Sequence, residues 1–148
     1  MTESARIVAE IEALSRALMQ VHKLFLGDER VALEIKLGHQ LSPLDFFNRL
    51  TQSDEFQWMK PFSSLLSDID EFIDETKKPK KHLDGSITTP RLATPEDLKK
   101  FRSRVEFTLL DPNSRVALKY KAHLAQNPDL VMAHAELRQA LGPLPTND

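Results

Sequence analysis

The chain has 148 residues, of which 41% are hydrophobic and 28% charged, a composition typical of a globular protein rather than a disordered one. Its formal net charge of −2 gives no overall attraction to nucleic acid or to an anionic membrane surface. The chain has no cysteine, which excludes disulfides, thiolate metal ligands, iron–sulfur clusters and a cysteine nucleophile.

The first predicted element is a long amphipathic helix that begins with Ser4 as its cap. Its main apolar positions recur at alternating spacings of four and three residues, which is a heptad pattern: Ile7, Ile11, Leu14, Leu18, Val21 and Phe25. A second apolar stripe lies on one flank: Val8, Met19 and Leu26. We therefore expect this helix to contact two neighbours. Gly27 and Asp28 should interrupt it, and residues 31–37 are predicted to form a short helix or an extended connector.

The stretch from Leu41 to Thr76 is the most aromatic part of the chain, and we expect the fold to be organised around it. Ser42 and Pro43 predict a helix start. Three side chains of this first short helix should face inward: Leu44, Phe47 and Leu50. The pattern breaks at Lys60-Pro61, and a second helix follows with an apolar face: Phe62, Leu65, Leu66, Ile69, Phe72 and Ile73. The candidates for lining a pocket or an interface are Phe46, Phe47, Trp58 and Phe62.

Residues 77–94 predict a long basic loop, because they combine lysines, prolines and small polar residues with little to bury. The loop has no aromatic residue for base stacking, so nucleic-acid binding is not expected. Thr94 and Pro95 then predict the start of the next helix. Two further helices should follow from Asp111-Pro112 and Asn127-Pro128, and Gly142-Pro143 should end the last one. No stretch is predicted to form a β-hairpin.

The histidines are the main candidates for chemistry. His22, His123 and His134 fall on the apolar sides of three different predicted helices, and Tyr120 lies near His123 on the same helix. Imidazoles that converge inside a helical bundle can hold a metal ion or a cofactor. The alternative is that each histidine is a packed residue with a hydrogen-bonded ring, because the paired Glu-x-x-His and the His-Glu-x-x-His motifs are missing.

The segment from Ala117 to Leu137 resembles the junction between two tetratricopeptide repeats, a family of helical hairpins that bind peptides. The residues that carry the resemblance are Ala117, Leu118, Tyr120, Asn127, Pro128, Asp129, Leu130, Ala133, His134 and Leu137. The resemblance covers about a fifth of the chain. It implies a helical hairpin at this position.

These patterns predict one all-α domain over residues 1–148, a bundle of about five to six helices. Residues 1–76 would form the N-terminal helices and aromatic core, residues 77–94 the loop, and residues 95–141 the C-terminal helices. No apolar run reaches the ~20 residues that span a bilayer, and the N-terminus lacks a secretory pattern, so we expect a cytoplasmic protein. The expected function is binding to another protein or self-association as a homo-oligomer. The alternative is a metal- or cofactor-binding bundle, which could be an enzyme, that uses the three histidines.

Overall fold

The computed structural model describes residues 2–142, and it confirms the prediction of an all-α fold. The described part of the chain forms six α-helices, one short 3-10 helix over Asp54–Met59 and a small β-hairpin. The helices are α1 (Glu3–Leu37), α2 (Pro43–Gln52), α3 (Lys60–Lys77), α4 (Pro95–Leu110), α5 (Arg115–Leu124) and α6 (Pro128–Leu141). The strands are β1 (Lys80–Lys81) and β2 (Ile87–Thr88). Among residues 2–142 no helix is both long and apolar enough to cross a membrane.

Helix α1 runs for 35 residues, and the predicted interruption at Gly27-Asp28 is wrong. A single glycine costs a helix only about 1 kcal/mol relative to alanine, which tertiary contacts on both sides can offset. The helix ends instead at Leu37, and its cap Gly38 has a φ of 78°, a left-handed conformation that suits glycine. The prediction of Ser4 as the cap is also wrong, because the Thr2 side chain caps α1. The Ser4 hydroxyl accepts a hydrogen bond from the backbone N–H of Ala93.

Helix α1, and not the aromatic stretch, is the element around which the fold is built. The predicted heptad residues are all buried: Ile7, Ile11, Leu14, Leu18, Val21 and Phe25. Neighbours of α1 include α3, α4, α5 and α6. Two residues of the second apolar stripe, Met19 and Leu26, lie on the side of α1 that faces α3, and Met19 remains largely exposed. The expectation that α1 contacts more than one neighbour is therefore confirmed.

Helices α1 and α3 are antiparallel neighbours. Lys77 at the end of α3 forms an ion pair with Glu12 at 3.1 Å, whereas Phe62 near the start of α3 contacts the ring of His22. The buried face of α3 confirms most of the predicted stripe: Phe62, Leu65, Ile69 and Phe72. The break between α2 and α3 begins at Ser53 rather than at Lys60, because the 3-10 helix fills the intervening residues.

Helix α2 begins at Ser42-Pro43 as predicted, but its predicted inward face is wrong for Leu44 and Phe47, whereas Leu50 is half-buried against the core. Phe46 is the buried side chain of this helix, whereas Leu44 is 67% exposed and Phe47 is 59% exposed. Phe46 packs edge-on against Phe56 of the 3-10 helix, and the guanidinium of Arg30 lies over its other side. These contacts fix the rotation of α2 and leave Leu44 and Phe47 turned to solvent.

The loop between α3 and α4 contains a short hairpin, so the prediction of no hairpin is wrong. Lys80 pairs with Thr88 and Lys81 pairs with Ile87 in antiparallel register. The turn holds Gly85 at a φ of 87°, and the preceding Asp84 accepts hydrogen bonds from Ser86. An Asp-Gly pair is a recognised hairpin signal, and it was present in the sequence.

The C-terminal helices match the prediction closely. Thr94 and Asp97 form a reciprocal capping box at the start of α4, and Asn127 caps α6. Helix α5 begins later than predicted, after the cap at Ser114 rather than directly at Asp111-Pro112. Helices α5 and α6 pack against each other, which confirms the helical hairpin. Helix α6 ends before Gly142; the predicted stop at Pro143 lies outside the described residues.

Candidate functional site

An apolar groove near the predicted site residues lies between α1 and α3 and is closed at one end by α2 and the 3-10 helix. We call it the α1–α3 groove. It consists of two adjoining cavities of about 500 Å³ and about 650 Å³. His22 lines both cavities, and therefore lies where they meet.

The first cavity lies at the α2 end and is mainly apolar. Its apolar wall is formed by side chains of α1, α2 and the 3-10 helix: Leu26, Phe47, Leu50, Phe56 and Met59. Its polar residues are His22, Thr51, Lys60 and Ser63. Phe56 and Met59 are buried, so they form the floor, whereas the exposed ring of Phe47 forms part of the wall. An apolar side chain inserted here would therefore meet apolar contacts from α1, α2 and the 3-10 helix.

The second cavity extends the groove along α1 and α3 and is more polar. Its lining residues are Ser15, Arg16, Met19, Gln20, His22, Lys23, Leu66, Ser67 and Asp70. Met19 is 58% exposed, and its flexible thioether can adapt to different partners. The apolar strip formed by Met19 and Leu66 thus continues the apolar floor of the first cavity toward the other end of α1.

His22 is half-buried at the junction of the two cavities. Its ring meets the Phe62 ring edge-on, with 4.8 Å between the ring centres. The Nε2 atom is buried and has no hydrogen-bond partner within the described residues. Burial lowers the pKa of His22 below its ordinary value, because the protonated ring loses hydration. His22 is therefore neutral at pH 7.

The lowered pKa of His22 predicts a loss of stability in mild acid. The unfolded chain binds a proton at His22 near pH 6.5, while the folded chain binds it only at lower pH. The free energy of unfolding should therefore fall as pH decreases below about 6.5 and be fully retained above it. Urea titrations at several pH values should show a flatter pH dependence for His22→Gln. An equally steep pH dependence of the free energy of unfolding in His22→Gln would contradict this prediction. Burial and Arg138 lower the pKa of His134 as well, so part of the pH dependence should persist in the variant.

The three histidines occupy separate environments rather than one site. The His123 ring lies between two carboxylates, with Nε2 at 2.8 Å from Glu29 and Nδ1 at 3.4 Å from Asp28. His134 Nδ1 lies 2.7 Å from the hydroxyl of Tyr120. Across residues 2–142, no group of three or more His, Asp or Glu side chains is arranged so that it could hold a metal ion. The structure therefore does not bring His22, His123 and His134 together as metal ligands.

The His123 contacts are structural tethers between Asp28 and Glu29 of α1 and the last turn of α5. Asp28, which contacts His123, also accepts hydrogen bonds from the Asn127 side chain at 2.9 and 3.0 Å. These contacts hold α1 against the hairpin at the point where the sequence predicted an interruption. They explain why the helix continues through Gly27.

The four aromatic candidates divide between core and surface. Phe46, Trp58 and Phe62 are buried, and the Lys119 ammonium lies 4.8 Å from the centre of the Trp58 ring. Of the four, Phe47 lines the groove. The candidate for an exposed interface is therefore Phe47, and the other three support the surface on which it sits.

Sequence reasoning missed several groove residues as members of a site: Lys23, Leu26, Met59 and Lys60. A partial signal was present, because Leu26 and Met19 formed the second apolar stripe of the first helix. Nothing in the local sequence placed Lys60 opposite that stripe, since their proximity depends on how α1 packs against α3.

Comparison of the chain with protein-family models, with curated protein sequences and with solved structures finds no match.

Proposed function

We propose that this protein binds another protein by accepting an amphipathic helix of the partner in the α1–α3 groove. The observation that supports the proposal is the exposure of the apolar face of α2 beside an apolar cavity. Large apolar side chains that are exposed singly are common, but apolar residues gathered around a concave surface are typical of binding sites.

The energetic argument centres on Phe47. Its ring is 59% exposed, so covering it with a partner would contribute about 1–2 kcal/mol from the hydrophobic effect alone. Aromatic residues at the centre of an interface often dominate the binding energy. Leu50 and Leu26 are half-buried beside it and would lose their remaining exposure in the same event.

The shape of the groove favours a helical partner. Helices line both long walls, so their backbone N–H and C=O groups are already used within the helices. An extended peptide would find no free strand edge in the groove to pair with, whereas a helix satisfies its own backbone groups. A helix can also place apolar side chains at i, i+3, i+4 and i+7 along a groove between two neighbouring helices.

Replacement of Phe47 by serine is expected to weaken helix binding at least about tenfold, because it removes an aromatic anchor from the groove. The probe is a designed amphipathic helix with an uncharged polar face and leucines at helical spacing. Its affinity is measured by fluorescence anisotropy, and its location by backbone amide shifts in the NMR spectrum. The shifts should cluster on α1, α2, the 3-10 helix and α3.

The matched control is Phe107→Ser on α4, because Phe107 is 58% exposed and does not line the groove. This variant should bind the probe as the unchanged protein does. Equal losses in the two variants, amide shifts located elsewhere, or no binding would contradict the proposal. Both variants should retain the unfolding midpoint to within a few degrees, because substitution of an exposed side chain changes stability by only about 0.5 kcal/mol.

A further inference from the structure

We infer that the helix accepted by the α1–α3 groove is acidic, with carboxylates flanking its apolar face. This inference rests on the proposed function, and it adds the chemistry of the partner. The groove residues carry three cationic side chains, Arg16, Lys23 and Lys60, and one carboxylate, Asp70. The local charge is thus positive, although the whole chain has a formal net charge of −2.

The three cations are available to a partner. All three residues are exposed, and within the described part of the chain none of them forms an ion pair. Five other lysine and arginine side chains of the described residues do form ion pairs, among them Arg104 with Asp68 at 2.8 Å and Lys77 with Glu12 at 3.1 Å. Asp70 offsets one of the three positive charges, so the groove lining keeps an excess of positive charge.

The cations are also spaced along the groove rather than clustered. Arg16 and Lys23 are seven residues apart on α1, which places them on one side of the helix about 10 Å apart along its axis. Lys60 lies at the α2 end, beside His22 and Leu26. A helix in the groove would meet Arg16 toward one end, and Lys23 and Lys60 toward the other end on opposite walls.

The length of the groove sets the length of the partner segment. The part of α1 that lines it runs from Ser15 to Leu26, which corresponds to about 16 Å at 1.5 Å per residue. About three turns of helix would fill it. The predicted partner segment therefore has two or three apolar anchors on one face, one of them beside Phe47, with Asp or Glu at the flanking positions.

The test compares three designed helices of about 16 residues that share one apolar face and differ in their flanking residues. One has flanking glutamates, one has flanking lysines, and one has uncharged glutamines. The acidic helix should bind about tenfold more tightly than the basic one, with the uncharged helix between them. The advantage of the acidic helix should shrink as salt is raised, because exposed charges are screened.

The double variant Lys23→Glu/Lys60→Glu should reverse the order of the acidic and basic helices. Its control is Lys99→Glu/Lys121→Glu, which changes the net charge equally at exposed lysines outside the groove and should leave the order unchanged. Circular dichroism of both variants establishes that they are folded.

The outcomes separate this inference from the proposed function. If the three helices bind in the groove with equal affinity, the acidic partner is overturned and the groove remains a helix-binding site. If none binds there, both proposals fail. If sedimentation shows a dimer that Phe47→Ser converts to a monomer, the occupant is a second copy of this chain, and the acidic partner is again overturned.

Discussion

Replacement of Phe25 by alanine is expected to lower the free energy of unfolding by about 3–5 kcal/mol, measured by urea denaturation. The Phe25 ring is 0% exposed and lies where α1 meets α3, α5 and the 3-10 helix. It stacks on Tyr120 with 5.7 Å between the ring centres and contacts Trp58 at the same distance. Truncation would leave a cavity lined by rings that cannot easily move inward, because they belong to three different elements.

The control for this prediction is Phe107→Ala, which removes the same atoms from an exposed position. It should change the free energy of unfolding by no more than about 0.5 kcal/mol. A loss below about 1 kcal/mol for Phe25→Ala would show that α1 is not packed as described. Tryptophan fluorescence provides a second readout, because Trp58 lies against Phe25 and should report the altered packing.

Replacement of His134 by leucine is expected to lower the free energy of unfolding by about 1–3 kcal/mol, because it leaves the Tyr120 hydroxyl without a partner. Tyr120 is 1% exposed, and its hydroxyl lies 2.7 Å from Nδ1 of His134. Burial raises the pKa of Tyr120 and lowers that of His134, so both groups are neutral at pH 7. We assign the phenol O–H as the donor, because a buried hydroxyl proton requires an acceptor.

The double variant Tyr120→Phe/His134→Leu gives the sharper test. Tyr120→Phe in the unchanged protein should cost about 0.5–1.5 kcal/mol, the usual net contribution of one hydrogen bond. In the His134→Leu background the same change should be neutral or stabilising, because it removes the orphaned hydroxyl. Strictly additive effects in chemical denaturation would mean that the two side chains do not interact.

The surface around Phe47 shows why an amphipathic pattern does not by itself identify the buried face. Leu44, Phe47 and Leu50 lie on one side of α2, and helical periodicity therefore directs them inward. The contacts of the segment that connects α1 to α2 override this periodicity. Leu41 is buried, its backbone N–H donates to Glu34 at 2.6 Å, and its carbonyl accepts from Arg30. These contacts orient α2 so that Phe46 packs inward.

The histidines show the same limit for the prediction of a functional site. Helical spacing correctly placed His22 and His134 near apolar residues, because spacing along one helix determines which side chains share a face. It could not show whether rings on three helices meet. In the structure, His134 contacts Tyr120, whereas His123 lies against the Phe25 ring and contacts the carboxylates of Asp28 and Glu29 in α1.

The sequence by itself determined the features whose causes lie within a few residues. The caps at Ser42, Thr94 and Asn127, the heptad of α1 and the apolar stripe of α3 all follow from local hydrogen bonding and helical periodicity. Only the tertiary structure decided the continuation of α1 through Gly27, the outward face of α2 and the groove that joins Lys23 to Lys60. Those features depend on contacts between residues far apart in the chain, which local periodicity does not encode.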